Sequence, residues 1–205
     1  MTNEIQLRDM EYSEPHKEFF ERGSRARFFL GDRQSGKTEV ASRAAVESAA
    51  NGNDVVVLTP THNRARQLRK RVYDCVVGSP WTAIENRSLV APNGATIEFA
   101  PESIVQTKQL RGRVADVVVD DAEVFSTTSL LYVLNRKNTL CPVALCGSSE
   151  NDSEFAFLAK YSHFGYVVAS VLDNPSLSEE YIKKLQQTSQ PVFVEQSTPP
   201  CRYLD

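Results

Sequence analysis

The segment Gly31-Asp32-Arg33-Gln34-Ser35-Gly36-Lys37-Thr38 fits the pattern GxxxxGK[ST] without a mismatch. Each fixed position answers a chemical need. The glycines permit a tight loop whose backbone N–H groups converge on phosphate oxygens. Lys37 places an ammonium against β- and γ-phosphates, and the Thr38 hydroxyl can ligate magnesium. A helix starting at the end of the loop adds the positive pole of its dipole. The apolar run Phe28-Phe29-Leu30 before the loop and the helical pattern after it supply the context such a loop requires. All eight residues are thus candidates to bind ATP, with Mg2+ as the accompanying ion.

A bound triphosphate and its metal need a carboxylate on a neighbouring strand, and Val117-Val118-Val119-Asp120-Asp121 offers one. Three β-branched residues predict a strand buried on both faces, and an acid at its C-terminal end projects into the crevice where open α/β sheets bind ligands. Asp120 is the expected metal residue, acting through a water. Asp121 is then the candidate that polarises an attacking water. Aspartate is shorter than glutamate by one C–C bond, about 1.5 Å, and Glu123 is the alternative, through a shift of its loop.

Arg64, Arg66, Arg69, Lys70 and Arg71 crowd one helical stretch with no acid among them. Such a helix can track nucleic-acid phosphates, with binding that weakens steeply in salt. The alternative is a solvated helix whose charges pair with acids elsewhere. The net charge is −3, so contact with nucleic acid must come from a local patch. Cys75, Cys141, Cys146 and Cys201 show no CxxC spacing, and His16, His62 and His163 form no ligand motif, which argues against a thiolate metal site.

These residues need a frame, and the sequence predicts one. Short β-branched runs alternate with helical stretches, the signature of a parallel sheet with crossover helices. Strands are expected at Arg27 to Leu30, Asp54 to Leu58, Val117 to Asp120, Val143 to Cys146 and Tyr166 to Ser170. Helices are expected at Thr38 to Ala50, Asn63 to Cys75, Ser129 to Leu134 and Ser178 to Gln187, the last with a serine cap. Leu89 to Phe99 reads as a β-hairpin around Asn93-Gly94, a pair suited to a type I′ turn. The fold class is α/β: a P-loop NTPase of the RecA-like (ASCE) kind, its mostly parallel sheet flanked by helices, plus the hairpin insertion. Apolar residues make up 41% of the chain, but no run is long enough for a membrane span. The N-terminus shows no secretory pattern, so a cytoplasmic location is expected.

Together these motifs resemble the ATPase domain of the viral terminase large subunit, the motor that drives DNA into capsids. The resemblance runs over nearly the whole chain. It adds Arg33 inside the loop, Leu110-Arg111-Gly112 before the Val117 strand, Gly147-Ser148-Ser149 after the Val143 strand, and Asp173-Asn174-Pro175-Ser176-Leu177-Ser178 before the last helix. By that resemblance Arg33 approaches the γ-phosphate within its own subunit, and Arg111 reaches a neighbouring subunit's nucleotide. Gly147, Ser148 and Ser149 would form the coupling motif. The glutamine that reads adenine in the family is absent, and His16 stands near its place as the candidate. The resemblance implies an ATPase domain over 1–190, with 1–26 on the adenine side, and a tail over 191–205 where a nuclease domain normally follows. It further implies double-stranded DNA, a capsid portal, a small terminase subunit and a possible separate nuclease chain as partners. A homo-oligomeric ring in the host cytoplasm is the expected setting. A helicase-like remodelling ATPase and a weakly hydrolysing nucleotide-binding assembly subunit are the alternatives.

Overall fold

Aromatic and β-branched runs become buried strands, and the alanine-rich stretch after the loop becomes the helix that packs on them. The computed structural model describes residues 13–22, 25–76, 80–84, 88–106, 110, 115–135, 142–149, 153–162, 164–174 and 177–188. The chain divides into a unit over Met1–Pro175 and a second over Ser176–Asp205. In the first unit, helix α1 (Glu14–Glu21) leads into β1 (Ala26–Gly31), α2 (Lys37–Ala50), β2 (Val55–Thr59) and α3 (His62–Cys75). Strands β3 (Thr82–Ile84), β4 (Ser88–Val90) and β5 (Thr96–Pro101) precede a single turn of helix, α4 (Ser103–Gln106). Then follow β6 (Asp116–Val119), a 3-10 turn (Ala122–Val124), α5 (Thr127–Leu134), β7 (Val143–Ser148), α6 (Glu154–Tyr161) and β8 (Tyr166–Ala169). In the second unit, α7 (Glu179–Thr188) starts as expected at a serine: the Ser178 hydroxyl accepts from the Tyr181 N–H at 3.3 Å.

The described strands form one sheet in the order β3-β4-β5-β2-β6-β7-β1-β8. From β5 to β8 every neighbouring pair is parallel, while β3, β4 and β5 pair antiparallel. Parallel strands connected by crossovers bring their C-terminal ends to one edge of the sheet. Strand β7 separates β1 from β6, with Leu30 beside Gly147 and Val119 beside Leu145. The phosphate loop and Asp120 are therefore one strand apart on the same edge.

Alternation sorts the strand residues onto two faces. Phe29, Val57, Val118 and Cys146 pack with α2 and α3, whereas Phe28, Leu30, Val119 and Leu145 pack with α5 and α6. Full burial of each large apolar side chain stabilises the fold by about 1.5–3 kcal/mol. Ala41, Ala44, Ala45 and Ala49 let α2 lie close to the sheet. This close approach fixes where the first turn of α2 presents Lys37 and Thr38.

Several short elements fall outside the sequence expectation, among them α1, α6 and β3. Helix α1 has Pro15 at its start, a favourable position, but it is short and mostly polar, and Phe19 gives it one deep anchor, edge-on to Phe29 at 5.7 Å. Helix α6 starts at Ser153, whose hydroxyl accepts from Ala156 N–H at 3.1 Å. Strand β3 is only a three-residue extension of the hairpin. The hairpin itself forms, but its turn is not type I′. Gly94 has φ 90°, whereas Asn93 is not among the positive-φ residues. Pro92 fixes a negative φ after Ala91, and Gly94 N–H donates to Ala91 O at 2.9 Å, a type I turn followed by a left-handed glycine. Among the described residues, no helix is long and apolar enough to cross a membrane.

Candidate nucleotide site

The chain leaves β1 at Gly31 and re-enters helix at Lys37, and the turn between them needs unusual backbone. Gln34 has φ 67° and Gly36 φ 91°. A Cβ on Gly31 would overlap the Ser35 hydroxyl, so the first glycine is a requirement of loop closure. Lys37 Nζ donates to the carbonyls of Gly31 at 2.8 Å and Asp32 at 2.9 Å, reaching back over the loop. The loop is tied from outside as well. Asn174 Nδ2 donates to Gln34 O at 2.6 Å, the Ser149 hydroxyl donates to Asp32 Oδ1, and the Ser149 N–H donates to Gly31 O at 3.2 Å. Arg33 is exposed at the loop's tip.

His16 takes a different position from the one expected. It is 3% exposed and packs against Phe29, with ring centroids 5.2 Å apart. Its Nδ1 lies 2.5 Å from Ser13 Oγ, and it makes a backbone hydrogen bond to Ser35. A Cβ on Gly36 would come within 2.8 Å of its Nε2. Enclosed in this way, the ring braces the phosphate loop. Burial lowers its pKa below the ordinary 6.5, and the backbone hydrogen bond to Ser35 and the charges of Asp173 and Glu39 pull the other way.

Thr38 and Asp120 meet across the sheet edge, as the two motifs require. The Thr38 hydroxyl comes near enough to the Asp120 carboxylate to favour its charged form. Asp120 is 4% exposed, and its Oδ1 has no hydrogen-bond partner. Burial first, and the neighbouring Asp121 second, push its pKa to about 7. A buried carboxylate oxygen without a partner beside a hydroxyl is a donor set suited to a hard divalent cation, whose charge would offset that desolvation.

Asp121 turns away from this pair. It adopts φ 54°, a left-handed conformation rare for aspartate, and its Oδ2 receives Arg64 Nε at 2.8 Å and a second guanidinium nitrogen at 2.5 Å. Arg64 comes from the first turn of α3, on the β2 side of β6. Glu123 lies on the 3-10 turn that folds back over β7. Its Oε2 is buried without a partner, and a Cβ on Gly147 would come within 2.8 Å of it.

The basic helix α3 is only partly free. Arg64 pairs with Asp121, and Arg71 Nε contacts Glu39 Oε2 at 3.2 Å. Arg69 is partly buried, whereas Arg66 and Lys70 are exposed. Gly147 and Ser148 end β7 beside Leu30 and Gly31. Arg111 and Arg113, together with Gly112, Cys141, His163, Pro175, Ser176, Cys201 and the expected tail over 191–205, lie outside the described residues. Asn174 and Arg64 are the contributors that motif reading did not assign to the nucleotide site. The first stands in a quoted motif without a role, and the second was grouped with the phosphate-tracking cations.

A P-loop on β1, a buried acid at the end of β6 and a mostly parallel sheet define the P-loop ATPase class of fold. No profile of a known protein family matches the sequence, and no curated protein matches it. Solved structures do. The large terminase of a thermophilic bacteriophage superimposes with a TM-score of 0.64 at 14% identity, over 90% of this chain and 52% of that one. Another crystal form of that terminase, in complex with ADP, also gives 0.64, at 13% identity over 89% of this chain and 51% of that one. The ATPase domain of the Thermus phage P74-26 large terminase gives 0.62 at 17% identity, over 87% of this chain and 89% of that domain. The chain thus has the fold of phage large-terminase ATPase domains, and it spans about half the length of the first of these proteins.

Proposed function

We infer that the chain is an ATP-hydrolysing motor domain that translocates double-stranded DNA into a viral capsid. The observation that carries this reading is the buried Asp120 carboxylate, with an oxygen that lacks a hydrogen-bond partner, at the end of β6 and one strand from the loop over Gly31 to Thr38. It supports a metal held between Asp120 and Thr38, next to a loop whose lysine and backbone suit phosphates. The fold shared with phage terminase ATPase domains supports the choice of a packaging motor over other P-loop ATPases.

In the mechanism, the backbone amides from Gly31 to Thr38 cradle the phosphates, and Lys37 exchanges its two carbonyl partners for β- and γ-phosphate oxygens. Arg33, at the exposed tip, closes on the γ-phosphate. Thr38 and Asp120 hold magnesium, which when bound would draw charge from the phosphate oxygens. A carboxylate on the turn after Asp120 orients the attacking water. Ser149 is bonded to both Gly31 and Asp32, so it is the member of Gly147-Ser148-Ser149 best placed to feel the loop change when phosphate leaves. Arg111 from an adjacent subunit completes the site, and the active species is a ring at a capsid portal in the host cytoplasm. A small terminase subunit and a separate nuclease chain are the further partners. The Arg64–Asp121 pair favours one second reading, a nucleotide-binding assembly subunit in which turnover is held back.

ATPase activity measured against protein concentration, with and without double-stranded DNA, tests the proposal. Turnover that rises with both, and that Lys37→Ala abolishes, is expected. Nucleotide binding without turnover under every condition selects the assembly subunit instead, and strand separation on a forked duplex selects a helicase.

A further inference from the structure

Two carboxylates follow Asp120, and the sheet order sends them in opposite directions. The strands run β2-β6-β7-β1 across the centre of the sheet. The phosphate loop leaves β1, so a γ-phosphate held by Lys37 lies on the β7 side of Asp120. Asp121 is held on the other side, by two nitrogens of Arg64 reaching from the helix that follows β2. Its backbone is left-handed at this turn, and the ion pair with Arg64 holds the carboxylate on that side. The 3-10 turn Ala122–Val124 then doubles back, closed by Val124 N–H donating to Asp121 O at 3.0 Å. This brings Glu123 over the C-terminal end of β7, the strand that separates Asp120 from the phosphate loop.

The surroundings of Glu123 fit a group waiting for a polar partner. Its Oε2 is shielded from solvent and lacks a hydrogen bond, a costly condition that usually marks a missing water or ligand. Room for it exists because residue 147 is glycine: a Cβ there would also meet the Phe155 ring, at 2.5 Å. Asp120, Arg27, Lys37 and Glu123 all act electrostatically on the buried Cys146 thiol, one residue before Gly147. Glu123 approaches from the face of the sheet opposite α2. The loop and the start of α2 cradle the β-phosphate from their own face, and in-line displacement requires the water on the far side of the γ-phosphate.

We propose that Glu123, and not Asp121, is the carboxylate that activates the attacking water, while Asp121 serves Arg64 as its anchor. This rests on the ATPase reading above. Glu123 accepts a hydrogen bond from the water, whose oxygen forms a bond to the γ-phosphorus as the bridging P–O bond breaks. The electron pair of that bond leaves on ADP. The proton of the water passes to Glu123 and from there to the released phosphate or solvent.

The test compares the wild-type chain with Glu123→Gln and Asp121→Asn, reading turnover, the affinity for a fluorescent ATP analogue with magnesium, and thermal unfolding. Removing a water-activating carboxylate costs about 10²- to 10⁴-fold in kcat. Glu123→Gln is expected to lose that much while its nucleotide affinity and melting temperature stay near wild type, so that prebound ATP remains uncleaved. Asp121→Asn is expected to lose less turnover than Glu123→Gln. Should Glu123→Gln melt early, Glu123→Asp supplies the same comparison, with reduced turnover and unchanged affinity. Wild-type turnover with an undiminished Glu123→Gln rate, or a larger loss in Asp121→Asn, overturns the assignment alone. A wild-type chain that binds the analogue yet never hydrolyses ATP overturns the ATPase reading together with it.

Discussion

Gly36 is constrained twice. Its φ of +91° is a conformation that side chains oppose, and the space where a Cβ would go is held by His16 Nε2. Alanine there costs about 1–2 kcal/mol in backbone conformation alone, and it also pushes on the ring that braces the loop. Gly36→Ala should therefore lower the thermal midpoint and weaken ATP binding together; loss of neither means the loop has another conformation. His16 adds a pH dependence whose sign follows from burial. The native state keeps the ring neutral where the unfolded chain would protonate it, because its pKa is depressed. Its contribution is complete above about pH 6.5 and is lost as acid drives the proton onto the unfolded state first. Urea midpoints measured from about pH 7 down to pH 5.5 should fall less steeply in His16→Gln than in wild type. Equal slopes would show that the histidine does not report on folding.

At the scale of elements, the hairpin insertion proves to be a fastener for α2. Asn93 Nδ2 donates to Ala49 O at 2.9 Å and Ala50 O at 3.0 Å, meeting carbonyls that the helix end leaves open. Its Oδ1 accepts from Ala95 N–H at 3.0 Å, within the same turn. Asn93→Ala should cost about 1–3 kcal/mol in urea unfolding, and a stability equal to wild type would deny the fastening. Helix α3 divides its cations between two tasks. Arg64 and Arg71 are paired to acids of the nucleotide-binding core, whereas Arg66 and Lys70 face outward. If α3 grips DNA, the double change Arg66→Ala with Lys70→Ala should reduce the slope of log affinity against log salt by about 2. An unaltered slope assigns the grip to another surface.

For the whole molecule, the proposed ring would bring a second subunit to the site. Arg64 reaches from α3 to the turn after β6, where Asp121 holds it. Beside Arg33 of the same chain, Arg111 of a neighbour is the proposed second guanidinium for transition-state charge. Arg111→Ala should lower kcat by about 10³- to 10⁵-fold if it acts as a finger, with nucleotide affinity largely kept. It should also remove the rise in turnover per chain with concentration. Equal turnover in wild type and variant would exclude Arg111 from the reaction. At this scale the fold with phage terminase ATPase domains is shared at 13–17% identity, so packing geometry, far more than residue identity, carries the likeness.

The loop from Gly31 to Thr38 and the acid at Asp120 were legible because their chemistry demands particular residue types at fixed spacing. The strands were legible because burial on both faces demands continuous apolar runs. What the tertiary structure alone decided is direction. Periodicity places Arg64 on a basic helix but cannot say that β2 runs beside β6, which brings its guanidinium to Asp121. The resemblance to the terminase family makes His16 a candidate for the adenine side, yet only the packing of α1 on Phe29 sets its ring against the loop. A left-handed aspartate and a short 3-10 turn leave no periodic trace, and they set Asp121 beside Arg64 and Glu123 beside Gly147. Composition and spacing are set along the chain, whereas strand order is set by which surfaces exclude water together.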